Sequence, residues 1–388
     1  MNTNGVAVPL AVRLVRNCSD PATLTLRKIV PAGLLLGLFA TGITMPSQAA
    51  LLQAIYTDAG SANWSDAANW DTTNYPHEDN PAGDTYDAMV GSGTATLTEA
   101  IIVEKLTLSG DATEIAGDFD LTVRDTITWS DGEFSGNADL NVNGSMEING
   151  NTKEITDRTV KIPNGSTVNW NASDITATDV TIDNDGLFDI KNSFLDITGT
   201  GSTFNNNNGA TIQKSSGSSS STLDTMTVNN DGTIHVQDGE IVIGAGTSTG
   251  IFNINTGDRL EIEFGTTHIF GTGVDLQGGG DFEVDGTLTL NDSLAVDTGI
   301  LSMDLNAATI NGAGTVTVTS ATGTLDWRDG TIAGTGDLNI ESDGTLNISN
   351  NPKLLSRDLN NSSTVNWSSS DVTVSDGVTI QQSSHGDF

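Results

Sequence analysis

Residues 181–190 read TIDNDGLFDI, residues 204–213 read FNNNNGATIQ, and residues 227–236 read TVNNDGTIHV. Each is a short alternating run, an Asn/Asp-Gly turn and a second alternating run. Their glycines, Gly186, Gly209 and Gly232, lie 23 residues apart both times. Asn and Gly tolerate the left-handed backbone that a sharp corner needs. A unit this small cannot bury its own apolar face, so units must stack on their neighbours. The expectation is that these three glycines superpose along one axis.

A longer repeat sits above the short one. Trp129-Ser130-Asp131-Gly132 returns 198 residues later as Trp327-Arg328-Asp329-Gly330. Asp139-Leu140-Asn141-Val142 is matched by Asp337-Leu338-Asn339-Ile340, and Met146-Glu147-Ile148 by Leu346-Asn347-Ile348. Arg158 and the run Thr167-Val168-Asn169-Trp170 are matched by Arg357 and Thr364-Val365-Asn366-Trp367. Residues 129–188 and 327–388 therefore read as two copies of one block.

Elsewhere Val, Ile, Thr and Leu alternate with polar residues, while Gly, Asn, Asp and Ser fill the corners. No helical period with caps appears after residue 50. The fold class is all-β, and a parallel β-helix is favoured over β-sandwiches, whose cores are richer in aromatics than a chain with 5% Phe, Tyr and Trp. Stacked at roughly 4.8 Å per coil, residues 97–388 would give about a dozen coils and a rod on the order of 60 Å. Residues 51–96 hold Tyr56, Trp64, Trp70, Tyr75, Pro76 and Pro81 and read as an aromatic-rich cap over the first coil. The serine run from Ser215 to Ser221 reads as a flexible loop leaving the stack. Gly386-Asp387-Phe388 aligns with Gly186-Leu187-Phe188, so the chain is expected to be a fragment of a longer polypeptide, or to have its last coil covered by another chain.

The chain has 388 residues, with 15 Lys+Arg against 50 Asp+Glu and a net charge of −35. Such a balance offers no positive field to displace phosphate counterions, which argues against nucleic acid as a partner. Arg27 and Lys28 precede an apolar run, residues 29–43, that ends near Ser47, Ala49 and Ala50. Residues 1–50 thus read as an export signal whose apolar run is too short to span a membrane, with cleavage after Ala49 or Ala50. Cleavage would remove Cys18, the only cysteine, leaving no thiol chemistry and no disulfide. The expected address is secreted or cell-surface.

The entry pattern Ala62-Asn63-Trp64-Ser65-Asp66-Ala67-Ala68-Asn69-Trp70-Asp71, then Pro81-Ala82-Gly83-Asp84, resembles the start of many secreted bacterial β-helix proteins. The blocks around Trp129 and Trp327 are similar to repeats of the same group, which includes autotransporter-passenger-like and adhesin-like surface proteins. The resemblance implies a right-handed β-helix at the cell surface and transfers no catalytic residues.

Motifs for chemistry are sparse. His77, His235, His268 and His385 show no metal spacing. Gly271-Thr272-Gly273, followed by Val274, Asp275 and Leu276, is a partial calcium-roll motif that occurs once. Carboxylate pairs at corners, Asp183/Asp185, Asp281/Asp285 and Asp292/Asp297, offer hard oxygen ligands, making Ca2+ the one cofactor to consider. Asp131/Asp329 beside Trp129/Trp327 would suit sugar chemistry, but recurrence inside a copied block suits packing better, and Arg158 and Arg357 recur with the scaffold. The expectation is a non-catalytic, adhesin-like display protein contacting an extracellular polysaccharide or surface protein. The alternatives are a carbohydrate-active lyase or glycosidase and a calcium-stabilised spacer.

Overall fold

The computed structural model describes residues 51–303, 308–351, 353–369 and 371–383. Residues 1–50, read from sequence as an export signal and holding Cys18, together with His385 and the closing Gly386, Asp387 and Phe388, lie outside the described residues.

Alternation builds the architecture. Successive strand side chains point to opposite sides, so Thr167–Trp170 buries Val168 and Trp170 and turns Thr167 and Asn169 outward. Short strands of this kind pair in parallel, coil on coil, into a β-solenoid of about 14 turns with almost no helix. Each coil has three strands. Ser145–Ile148, Thr167–Trp170 and Leu187–Ile190 stack on a first face. Lys153–Thr156 and Ile175–Thr178 stack on a second, and Thr159–Ile162, Thr181–Asn184 and Thr203–Asn206 on a third. Near the start, one long strand serves two faces: Leu121–Trp129 pairs with Asp139–Val142 through its first half and with Ser145–Ile148 through its second.

Inside, equivalent residues form columns. Ile127, Met146, Val168, Phe188, Ile212 and Ile234 are stacked in register and buried. Each such burial is worth about 1.5–3 kcal/mol, against about 0–1 for an exposed ion pair. The columns hold the rod together.

The entry segment packs its aromatics at the N-terminal end of the stack. Trp64 and Trp70 are buried edge to face at 4.7 Å, and Trp64 Nε1 donates to the Pro76 carbonyl at 2.8 Å. The segment also supplies rungs, since Leu51–Ile55 pairs with Thr85–Val90 and Ser61–Asn63 with Thr94–Thr96.

Two expectations are corrected. The 23-residue glycine spacing is not the structural period, because Leu187, Thr211, Thr233, Ile251 and Asp275 share one column, giving coils of 24, 22, 18 and 24 residues. The residue level with Gly186 and Gly232 is Ala210, not Gly209. The reasons for glycine differ as well. A Cβ on Gly186 would meet the Ser166 carbonyl oxygen at 2.4 Å, whereas Gly209 has open space but a φ of +88°. Close approach demands the first and backbone conformation the second. The run from Ser215 to Ser221 does not leave the stack. Ser220–Leu223 is a strand paired with Glu240–Ile243, and buried Ser221 donates to the Asn192 carbonyl at 3.0 Å. Short hydroxyl side chains satisfy the backbone of that corner in place of water.

Candidate functional site: duplicated corners and a glutamate stack

The copied blocks do not lie above one another. The strand ending in Trp129 belongs to the first face, continued by Ser145–Ile148. Thr324–Trp327 pairs with Ile300–Met303 and Thr345–Ile348, on the second face. The second copy is therefore displaced by nine coils and one further strand. Equivalent residues point to different sides of the rod.

Their local chemistry is nevertheless the same. Asp131 Oδ1 accepts from the Gly132 amide at 2.9 Å, and its Oδ2 from Asn151 Nδ2 at 2.7 Å. Asp329 repeats both bonds, with Gly330 at 2.7 Å and Asn351 at 2.7 Å. Buried Lys153 and Lys353 turn back to donate to the carbonyls of Asn151 and Asn351. Burial pushes the Lys153 ammonium down to about 8, with Asp131 and Asp174 opposing the shift. Arg158 and Arg357, each at most 3% exposed, reach across two earlier coils. Arg158 Nε donates to the Ser135 carbonyl at 2.9 Å and Nη2 to that of Gly117 at 3.1 Å. Arg357 Nε donates to the Ala333 carbonyl at 2.7 Å and Nη1 to that of Gly314 at 3.2 Å. Burial lowers both guanidinium groups to about 10, countered for Arg158 by Asp118, Asp120 and Asp139. These charged groups cap carbonyls at corners and staple coils.

Asparagine does the same work along the third face. Asn184 Nδ2 donates to Asn206 Oδ1 at 2.8 Å and Asn206 to Asn230 at 2.7 Å, all buried. On the outer side of the same strands, Asn229 donates to Asn205 at 3.0 Å and Asn205 to Asp183 at 2.8 Å. The inner and outer ladders run in opposite directions, so their amide dipoles oppose. Asp183 and Asp185 are thereby engaged, Asp185 by Asn207 at 3.0 Å.

Carboxylates also gather on the second face. One oxygen each of Glu240, Glu261 and Glu283 lies within 4.8 Å of the others, carried by the stacked strands Glu240–Ile243, Arg259–Ile262 and Asp281–Val284. Arg259 serves as counter-charge, with Nε 3.8 Å from both Glu240 and Asp281 and Nη1 against buried Glu283. Burial, then Asp285, Glu240 and Glu263, push Glu261 up to about 7. Three carboxylate oxygens at this spacing suit a hard cation, although Arg259 already neutralises part of the charge. Of the corner pairs named from sequence, Asp281 and Asp285 border this stack: Arg259 reaches the former, and the latter acts on Glu261. Asp292 Oδ1 accepts from the neighbouring Ser293 amide at 2.8 Å.

The histidines are dispersed. His77 Nδ1 accepts from the Ile102 amide at 3.1 Å, and His235 lies 3.0 Å from Gln237 Nε2. His268 is buried against Ser248 and the Gly244 carbonyl. An apolar cavity of about 30 Å3 lies inside the stack, lined by residues including Trp129, Met146, Val168 and Phe188. A shallow crevice runs between Glu78 and Arg124. Neither touches the glutamates. No helix among the described residues is long and apolar enough to cross a membrane.

No protein-family model, curated protein or solved structure matches the chain. The buried lysines escaped the sequence reading, although the signal was present: Asn151-Thr152-Lys153 returns as Asn351-Pro352-Lys353. Clustering of the glutamates depends on coil lengths of 19 and 22 residues (Glu240, Arg259 and Asp281 in one column), which no spacing rule supplied.

Proposed function

We propose that this chain is an exported structural rod that displays its outer ladders to an extracellular polysaccharide or surface protein, in the manner of adhesin-like β-solenoids. One observation carries the reading. The charged residues common to both copies are spent on the scaffold, Asp131, Asp329, Arg158 and Arg357 on coil-to-coil bonds and Lys153 and Lys353 on carbonyls of their own corners, and the copies face different sides, which suits a scaffold and not a duplicated active centre. The outer rows of Asn, Asp, Thr and Gln provide donors and acceptors at coil spacing for a polar polymer. Incubation with acidic and neutral polysaccharides should give retention on the polymer without new reducing or unsaturated ends. Turnover abolished by a single carboxylate substitution would overturn it. Export predicts that protein recovered outside the cell begins at Ala50 or Leu51.

A second reading rests on Glu240, Glu261 and Glu283. A carboxyl pushed up to about 7 beside two further carboxyl groups is the pairing a glycosidase needs, and the same oxygens can hold calcium in a spacer. Glu261→Gln separates these readings from the first. It would abolish glycan cleavage, or remove a calcium-dependent rise in melting temperature, and on the scaffold reading it does neither.

A further inference from the structure

His268 lies in the inward row of strand Thr267–Phe270 and is fully buried. Its bonds define its state. The Gly244 carbonyl, 3.2 Å from Nδ1, can only accept, so Nδ1 carries the proton. Nε2 then accepts from the Ser248 hydroxyl at 2.8 Å. Ser248 is paired in register with Asn230, the end of the interior amide ladder. The interior amide ladder donates from Asn184 through Asn206 to Asn230; Ser248 stands next in that column, and its bond to His268 crosses diagonally into the adjacent inward column, where His268 is in register with Gly246 and Leu288. A second proton on His268 would turn Nε2 into a donor and force the buried Ser248 hydroxyl to give up the acceptor it now uses. It would also place a cation between Phe252 and Phe270, whose ring centroids lie 6.5 and 5.9 Å away.

We propose that His268 is an acid-sensitive lock tying strand Thr267–Phe270 to Gly244 and Ser248 of the coil before it, and that its protonation opens the coils around Thr267–Phe270. The paired or packed strands Gly246–Ser248, Ile251–Ile254 and Thr287–Leu290 bring no titratable side chain. The neighbouring strands Arg259–Ile262 and Asp281–Val284 carry Arg259, Glu261, Asp281 and Glu283 alternating with the inward Leu260, Ile262, Phe282 and Val284. Asp224, Glu263 and Asp285 lie at the corners. Burial dominates and lowers the imidazole to about 4, opposed by the bond to Gly244. A histidine lowered in the folded state takes up its proton on opening. Stability is therefore present above the ordinary value of 6.5 and is lost as pH falls towards 4.

Hydrogen exchange on the full chain tests this. After correction for intrinsic rates, opening at the amides of residues 267–270 should grow about tenfold per pH unit below pH 6.5, and His268→Gln should flatten that dependence. Nitrogen-15 shifts of the wild-type protein provide a readout that needs no variant, with His268 remaining neutral and Nδ1-protonated at pH 5.5. Titration of folded His268 at the ordinary histidine value, or opening that ignores pH, would overturn the proposal.

Discussion

The two copies of the Trp-Asp-Gly block share their corner bonds and differ in the side of the rod on which they stand. In the first, Trp170 is fully buried beneath the next strand, Leu187–Ile190; in the second, its counterpart Trp367 lies on the last described strand of its face and is 48% exposed. The Arg158 and Arg357 staples are alike in reach, yet they stand on different sides of the rod. The difference teaches that the copied information is local. It specifies how one strand turns into the next and grips the coils before it, and is indifferent to which face results.

The largest contrast should come from the tryptophans. Trp170→Ala should cost about 4 kcal/mol and Trp367→Ala, on the last described strand of its face, about 1 or less, read from urea unfolding; equal losses would mean that Trp367 is covered as Trp170 is. The arginines come next. Arg158→Met and Arg357→Met keep the apolar stem but strand two carbonyls each, and both should lose about 2–3 kcal/mol. A silent Arg357 would break the equivalence. Asp131→Ala and Asp329→Ala should each cost about 1–2 kcal/mol, and pairing each with its Asn151→Ala or Asn351→Ala partner should give sub-additive losses.

The smallest effect lies between the copies, at the glutamate stack of the second face. Glu261 is raised in the folded state, so folding favours its proton, and the stabilisation is complete below 4.5 and disappears as pH rises through about 7. Glu261→Gln should thus stabilise by about 1 kcal/mol at pH 8, a figure discounted for partial exposure, and do little at pH 4.5. A thermal melt at the two pH values checks the sign.

Much of the fold was legible because alternation and Asn-Gly corners are local signals, visible in residues such as Val168, Trp170 and Gly232. The period was not, because corners differ in length. The turn 207–210 takes four residues where Asp185 and Gly186 take two, and the glycine spacing absorbed that difference silently. The Asp131 and Arg158 roles could be foreseen from duplication, since a group repeated with its surroundings is more naturally part of them. Glu240, Glu261 and Glu283 could not, as their meeting depends on stacking register and not on any spacing along the chain.

The displacement of the second block by nine coils and a single strand has a consequence for how such a molecule changes size. A duplicated or deleted stretch of gene need not span whole turns. An insert that begins and ends at a corner and adds one strand beyond whole turns rotates everything past it by a third of a revolution. Length and angular orientation are thereby tied together, so that a change in extent also re-aims whatever the distant end presents.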